Sequence, residues 1–239
     1  MTERQTHFAR FYGNFAAGFQ SELRIKGVAQ PFNIGSDDTL LVEQCRLGRS
    51  AAMERLVLKY QDRIYNVILK ICANPDDAAE LCQEAFVKVL ENIDKFEARS
   101  SFYTWLFRIA VNLTLNHCQR SSRLQTRSLD ASDDEHTEDA RQMLQDFLSD
   151  DSSPDPAAVA QNKELGRMAL RALMKLDDVH RTIIVLRDIE GMNYAQIARV
   201  LGIELGTVKS RLSRARDNLK DIMENLCNEV ESKNRRDAQ

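Results

Sequence analysis

Residues 206–220 hold five lysine or arginine side chains, several hydroxyls and one acid, Asp217. Arginine can donate two hydrogen bonds to the edge of a guanine, and either cation can hold a phosphate. The chemistry that this set favours is non-covalent recognition of duplex DNA. Such a run is also typical of a solvated helix face. The helices that contain these residues must therefore distinguish DNA binding from simple solvent exposure. The candidate contacts are Thr207, Lys209, Ser210, Arg211, Ser213 and Arg214.

Two short amphipathic helices position these residues. Ile197, Ala198 and Leu201 recur at helical spacing and predict one apolar face. Gly202 then breaks the pattern, as the residue that best tolerates a tight turn. A second apolar stripe follows, which turns the cations of the second helix toward solvent, and two helices joined in this way are typical of a helix-turn-helix. That stripe comprises Val208, Leu212, Ala215 and Leu219.

A second group of candidate residues lies at 96–105, FEARSSFYTW, where aromatic and small polar side chains cluster. Aromatic faces that stack on bases, beside cations that hold phosphates, form single-strand binding surfaces. The alternative is ordinary core, which we favour for Trp105 because an apolar helix follows it. For Phe96, Tyr103 and the neighbouring serines both interpretations stay open. The candidates are Phe96, Ser100, Ser101, Phe102, Tyr103, Asn112 and Arg120.

Composition favours an all-α protein of one or two domains. The chain has 239 residues, 43% of them hydrophobic, with 9 glycines and 4 prolines. No apolar run approaches the length that spans a membrane, and the N-terminus lacks a signal-peptide pattern. We therefore expect no membrane insertion and a cytoplasmic location.

Charge is segregated although the net charge is only −3. Residues 130–162 contain ten acids and one base, whereas basic stretches lie on both sides. With its serines and two prolines, this segment predicts a flexible acidic linker between two small helical domains. The expected organisation is an N-terminal extension at 1–37, a first domain at 38–127, the linker at 128–162, a second domain at 163–226 and a polar tail at 227–239, frayed from residue 229 onward.

The first domain is predicted to contain four helices. The first runs over residues 39–48 behind an N-cap formed by Asp37 and Asp38, and the second runs over residues 50–73. The third begins at Pro75 and the fourth spans residues 102–123. The expected core comprises Leu56, Tyr60, Ile64, Val67, Ile68, Ile71, Ala78, Leu81, Ala85, Val89, Leu106, Ile109, Ala110, Leu113 and Cys118.

No catalytic or metal-binding pattern emerges from the titratable residues. The five cysteines are far apart and without a CxxC pair, so we expect small buried hydrophobes. His117 beside Cys118 lacks a second ligand pair, and the four histidines are scattered. The sequence predicts neither a metal nor a cofactor.

Residues 1–35 contain phenylalanines at helical spacing. Three interpretations of this segment stay open: an extension that packs on the first domain, a helix that binds a partner, and a misassigned start codon.

The segments FYTWLFRIAVN and GMNYAQIARVLGIELGTVKSRLSRAR together resemble the extracytoplasmic-function sigma factors of bacterial RNA polymerase, nearest to the sigma-E-like group. The resemblance covers roughly residues 38–222 apart from the linker. It implies a conserved region 2, which docks on the β′ clamp and captures the melted minus-ten strand. It also implies a conserved region 4, which binds the minus-thirty-five duplex and contacts the β flap. The partners implied are core RNA polymerase, promoter DNA and an anti-sigma factor, and no catalytic centre is expected.

The resemblance also assigns residues. The helix AELCQEAFVKV, residues 79–89, matches the polymerase-binding helix of the family, with Glu80, Leu81, Gln83, Glu84 and Phe86 as its contacts. Three positions depart from the family pattern. Asp177 stands where proline is common, Gln196 where glutamate is common, and Glu204 where proline is common. Glu204 brings a negative charge close to the expected DNA.

Two other classes of protein are to be weighed against the sigma resemblance. A repressor or activator of the helix-turn-helix type would explain residues 194–219 but neither the FYTWLFRIAVN segment nor the helix at 79–89. A small enzyme or a scaffold would need convergent titratable groups, which the sequence does not offer. The acidic linker could mimic nucleic acid inside the polymerase, or it could serve only as a tether.

Overall fold

A computed structural model describes residues 36–125 and 168–237, and every regular element within these two ranges is helical. The all-α prediction is confirmed. The first range forms an N-terminal bundle in which consecutive helices pack against each other. Its elements are α1 (Ser36–Arg46), α2 (Ser50–Cys72), α3 (Pro75–Asn92), a short 3₁₀ turn (Ile93–Lys95) and α4 (Phe102–Gln125).

The second range forms a C-terminal bundle. Residues 168–174 are helical and are labelled α5. Helix α6 (Asp178–Ile184) continues directly into a π-helical turn (Val185–Ile189). Helix α7 (Tyr194–Leu201) and the long α8 (Leu205–Asp237) complete the bundle, and α8 packs on both α6 and α7.

Sharp boundary signals separate α2 from α3. Ala73 adopts a left-handed conformation and its amide bonds back to the carbonyl of Leu69, which ends α2. The side chain of Asn74 then accepts hydrogen bonds from the amides of Asp76 and Asp77 over 2.9 and 3.1 Å, so that α3 begins at Pro75. The apolar stripes expected for α2 and α3 are buried, as predicted.

Helix α1 begins earlier than the sequence suggested, at Ser36, so the N-cap expected at Asp37 and Asp38 is wrong. Asp38 lies within the helix and is only 4% exposed. Its carboxylate accepts hydrogen bonds from the hydroxyl of Tyr60 over 2.6 Å and from the ammonium of Lys59 over 2.5 Å. Burial, together with the bond to Asp38, raises the pKa of Tyr60. The carboxylate therefore ties α1 to α2 instead of capping its own helix.

The two bundles pack directly on one another. Helix α7 lies against α4, and α6 lies against both α2 and α4. Buried hydrophobic side chains from both bundles belong to one continuous cluster. In this arrangement the first helix of the helix-turn-helix therefore rests on the N-terminal bundle.

Helix α8 extends through Asp237, beyond the point where a frayed tail was expected. No glycine or proline follows Gly206, so no strong helix-breaking residue interrupts it. In the two ranges described, no helix has both the length and the apolar character needed to cross a membrane.

Candidate nucleic-acid interface

The turn between α7 and α8 has the local chemistry that a helix-turn-helix needs. Asn193 and Gln196 cap the start of α7 reciprocally, each side chain accepting a hydrogen bond from the amide of the other over 2.9 Å. Gly202 ends α7 with φ of 64°, in the left-handed region that favours glycine. Gln196 thus supplies the acceptor oxygen that a glutamate would provide at this position.

Helix α8 separates its two faces as the sequence predicted. Val208, Leu212 and Ala215 are at most 2% exposed and face the core. The candidate duplex contacts lie on the remaining surface, with Lys209, Ser210, Ser213 and Arg214 exposed and Thr207 and Arg211 half-buried. These residues occupy the amino-terminal half of α8, the part of a recognition helix that contacts base edges.

Within the described ranges Arg216 has a carboxylate partner, unlike Lys209, Arg211 and Arg214. Its guanidinium donates to both carboxylate oxygens of Asp188, over 3.2 and 2.5 Å. The hydrogen bonds that Arg216 donates to Asp188 raise the pKa of Arg216 above its usual value. This exposed ion pair joins α8 to the π-helical turn.

The aromatic residues at 96–105 form a packed cluster in the N-terminal bundle. Phe96 is 7% exposed, and Phe102 and Tyr103 are each 3% exposed. Phe96 meets Phe102 edge to face at 5.9 Å between ring centroids and meets Trp105 at 5.2 Å. The half-buried Trp105 packs against the core, which agrees with its predicted role. Three candidates for the minus-ten strand therefore have buried rings in this arrangement.

The loop at residues 97–100 is anchored at both ends. At one end the guanidinium of Arg46 donates to the carbonyls of Ile93 and Phe96. At the other, the hydroxyl of Ser101 accepts from the amide of Thr104 over 3.2 Å and so caps α4. Between these anchors Ala98 has φ of 54°, a left-handed backbone conformation that residues other than glycine rarely adopt. The fixed loop presents Arg99, whose side chain is 86% exposed, beside the half-buried Ser100.

A polar stripe continues from this loop along α4. Arg108, Asn112, Asn116 and Arg120 follow one another at four-residue spacing and all are exposed. Two of them, Asn112 and Arg120, are the candidates that the sequence placed toward DNA. The stripe carries two positive charges and no acid, which suits a nucleic-acid backbone.

Helix α3 presents a separate polar surface. Glu80, Gln83 and Glu84 are exposed, as expected for contacts with another protein. Leu81 and Phe86, which were proposed with them, are 5% and 2% exposed and form part of the core. The accessible part of this candidate site is therefore its acidic and amide side chains.

Sequence reasoning missed a buried ionic cluster between the bundles, the interdomain triad of Arg63, Lys70 and Glu190. The Nε of Arg63 donates to Glu190 over 2.8 Å, and the ammonium of Lys70 lies 3.5 Å from the other oxygen. Arg63 also lies over the ring of Tyr103, 4.8 Å from its centroid. The one available signal was a lysine inside an apolar stripe, because Lys70 stands between Leu69 and Ile71.

Nothing in the described ranges points to a metal or a nucleophile. They contain no group of three or more ligating side chains, and His117 pairs with Asp77 over 3.1 Å. Burial raises the pKa of the Cys72 and Cys82 thiols to about 12, which leaves them unreactive. Cys227 is exposed, so the expectation of buried cysteines is wrong at that position.

Family models match both bundles. Sigma-70 region 2 matches residues 56–124, and Sigma-70, region 4 matches residues 166–219. Whole-chain relatives agree with this division. The RNA polymerase sigma-H factor of Pseudomonas aeruginosa is 34% identical over 81% of this chain and 97% of its own length. The ECF RNA polymerase sigma-E factor of Escherichia coli K12 is 32% identical over 79% of this chain and 95% of its own.

Solved structures share the fold. CnrH in complex with the cytosolic domain of CnrY has a TM-score of 0.53 at 23% identity, covering 80% of this chain and 99% of that one. The sigma factor RpoE of Bartonella quintana, in complex with the anti-sigma factor NepR, also has a TM-score of 0.53 at 24% identity, covering 72% and 96%. Capped α7, the Gly202 turn and the exposed cations of α8 thus occur in a chain that matches both sigma-70 regions in order. The chain belongs to the extracytoplasmic-function sigma factors of RNA polymerase.

Proposed function

We propose that this sigma factor recognises its promoters through the two bundles separately. Residues 163–226 bind the minus-thirty-five duplex, and residues 38–127 bind core polymerase and the melted minus-ten strand. The segment 128–162, which lies outside the described residues, links the two. The observation that carries the proposal is the solvent-facing surface of α8, where Lys209, Ser210, Ser213 and Arg214 stand clear of the packed core.

Duplex binding and strand capture make different contributions to the free energy of promoter binding. Contacts from α8 to phosphates and base edges supply register and affinity on the closed duplex. Unstacking bases costs a few kcal/mol per step, so the opened strand needs a surface that holds its bases and phosphates. The fixed loop at 97–100 and the polar stripe of α4 form that surface, with Ser100, Ser101, Asn112 and Arg120 reaching the strand. The buried rings of Phe96, Phe102 and Tyr103 support this surface from beneath.

Core polymerase is held mainly by the N-terminal bundle. Glu80, Gln83 and Glu84 of α3 contact the β′ clamp, with Leu81 and Phe86 setting the shape of the helix from within. The C-terminal bundle contacts the β flap. The polymerase performs all the chemistry, and this chain acts in the cytoplasm without a catalytic centre of its own.

An anti-sigma factor controls the protein by covering both bundles. Support comes from the two solved relatives, each of which was captured with another protein, an anti-sigma factor in one of them. The regulation is that of a stress-responsive alternative sigma factor. The phenylalanine-rich segment 1–35 lies outside the described residues.

Run-off transcription tests the proposal. Purified core polymerase is presented with a promoter library in the presence and in the absence of this chain. Initiation at defined sequences that depends on the added protein supports it. Tight duplex binding without any effect on core polymerase would instead identify a repressor or activator of the helix-turn-helix type.

A further inference from the structure

The turn after α6 carries two acids that face opposite ways. Asp188 pairs with Arg216 inside the C-terminal bundle, over 2.5 Å. Glu190, two residues later, leaves its own bundle and enters the N-terminal one, where it meets Arg63 and Lys70 of α2. Two neighbouring carboxylates thus differ in one respect: only Glu190 spans the interface.

The interdomain triad is well shielded from water. The side chains of Lys70 and Glu190 are 3% and 7% exposed, and that of Arg63 is 32% exposed. Removing one member of a buried ion pair leaves an uncompensated charge, which is strongly unfavourable. Burial lowers the pKa of Lys70, and the carboxylate of Glu190 opposes this effect. The ammonium therefore depends on a partner that belongs to the other bundle.

A second polar contact reinforces the same interface. Arg181 of α6 donates through Nη1 to the carbonyl of Ile71, at the end of α2, over 2.6 Å. The packing of α7 on α4 closes the interface on its apolar side. The closed arrangement is therefore specified by named polar contacts as well as by apolar area.

Closure engages a cation that lies beside the surface proposed for the opened strand. Arg63 covers the ring of Tyr103 at 4.8 Å while its own guanidinium is held by Glu190. The hydroxyl of Tyr103 is buried with no hydrogen-bond partner in the described ranges. As long as Glu190 stays in place, the guanidinium of Arg63 is paired with a carboxylate of the other bundle and does not bind a phosphate of DNA.

The promoter imposes a distance that the closed arrangement does not span. Elements centred near minus ten and minus thirty-five lie about 85 Å apart along B-form DNA. A compact body of the described size has a radius of gyration of only about 15 Å. Both elements can therefore be engaged together only after the bundles separate.

We infer that the free protein rests in a closed state, held by Glu190 between Arg63 and Lys70, and that binding to polymerase and promoter opens it. The closed state itself follows from the contacts, whereas the need for opening rests on the proposed function. Glu190 thus acts as an internal competitor for cations that lie beside the strand-binding surface.

Small-angle scattering and amide hydrogen exchange on the full-length chain, without polymerase or DNA, test this inference. Wild-type protein is expected to be compact and to protect the amides of α7, a short helix that depends on packing against α4. Glu190→Gln keeps the size of the side chain and removes its charge. We expect a larger radius of gyration and exchange in α7 that is faster by about tenfold or more.

Asp188→Asn is the matched control, because it removes one charge from the same turn without touching the interface. It should leave both measurements unchanged. Expansion in both variants would show a general charge effect and overturn the inference, as would an expanded wild type or a Glu190→Gln variant as compact as the wild type.

The double variant Arg63→Glu with Glu190→Lys exchanges the two charges and should be as compact as the wild type. If circular dichroism shows that Glu190→Gln has lost helix, this double variant replaces it as the test of the closed state. A folded but expanded swapped variant would contradict the inference. Because no step involves polymerase, a negative run-off assay would overturn the proposed function and leave the closed state standing.

Discussion

Arg181 caps the carboxyl-terminal ends of two helices from different bundles, donating to the carbonyl of Ile71 over 2.6 Å and to that of Leu176 over 2.7 Å. Further bonds reach the carbonyls of Leu173 and Met174. Arg181→Met should therefore lower the free energy of unfolding by about 2–4 kcal/mol, because several buried acceptors lose their donor. Urea denaturation monitored by circular dichroism measures the loss. Arg171→Met, at an exposed site on α5, should change stability little, and equal losses would contradict the capping role.

The exposed guanidinium of Arg214 is expected to contribute directly to duplex recognition. Arg214→Ala should weaken binding to a minus-thirty-five duplex by about 1–3 kcal/mol and leave binding to core polymerase intact. Fluorescence anisotropy measures the first quantity and co-purification the second. Lys220→Ala is the matched control, since this exposed cation lies further along α8 beside Glu224. Loss of core binding in Arg214→Ala would count against the assignment of the two bundles.

At the start of α8, Glu204 is expected to stabilise the helix and to weaken the binding of DNA. Its carbonyl accepts the first helical hydrogen bond, from Val208, and its exposed carboxylate stands near the positive end of the helix. Glu204→Gln should cost about 0.3–1 kcal/mol of stability through the lost helix-dipole interaction. The same change should strengthen duplex binding, with a gain that shrinks at high salt because it arises from reduced repulsion of phosphates. Anisotropy at two salt concentrations checks this, and Glu224→Gln should show no such gain.

The acid that caps α6 predicts a dependence of stability on pH. Asp177 accepts hydrogen bonds from the amides of Val179 and His180, and His180 also contacts its carboxylate. Although burial opposes the effect, these bonds hold the pKa of Asp177 below its usual value. Its contribution is therefore fully present above about pH 3.9 and is lost as the pH falls through the lowered pKa.

An asparagine side chain can also cap α6, but it has no carboxyl group that ionises. Asp177→Asn is expected to be nearly as stable as the wild type at neutral pH and to lose less stability on acidification below pH about 4. Urea midpoints across pH 2.5–7 measure the difference, with Asp221→Asn as an exposed control. If Asp177→Asn lost as much stability as the wild type on acidification, the ionisation of Asp177 would not contribute to the pH dependence of stability.

Much of the fold was predictable because it depends on local signals. The stripes of α2 and α3, the stop at Gly202 and the solvent face of α8 each follow from spacing within one helix. The resemblance to the sigma family was also visible in two contiguous segments, and the relatives confirm it. Local signals failed at Asp38, whose carboxylate bonds to Tyr60 across a helix interface instead of capping α1.

The contacts between the bundles were not predictable in the same way. Arg63 and Glu190 are 127 residues apart, and no periodicity connects them. The acids Asp188 and Glu190 look equivalent in sequence, yet one stays in its own bundle and the other crosses into the next. Such pairs depend on how the folded bundles pack on each other, which no short pattern in the sequence encodes. The individual DNA and polymerase contacts remain predictions for the same reason.

The anchored loop at 97–100 has a thermodynamic consequence for strand capture. Its ends are fixed by Arg46 and by the Ser101 cap, and Ala98 keeps its left-handed conformation in the unbound protein. The conformational entropy of these residues is therefore lost when the protein folds, and little remains to be lost on binding. A single strand that reaches this loop has mainly its own backbone to order. Loosening the Arg46 anchor should weaken strand capture without removing a contact to DNA.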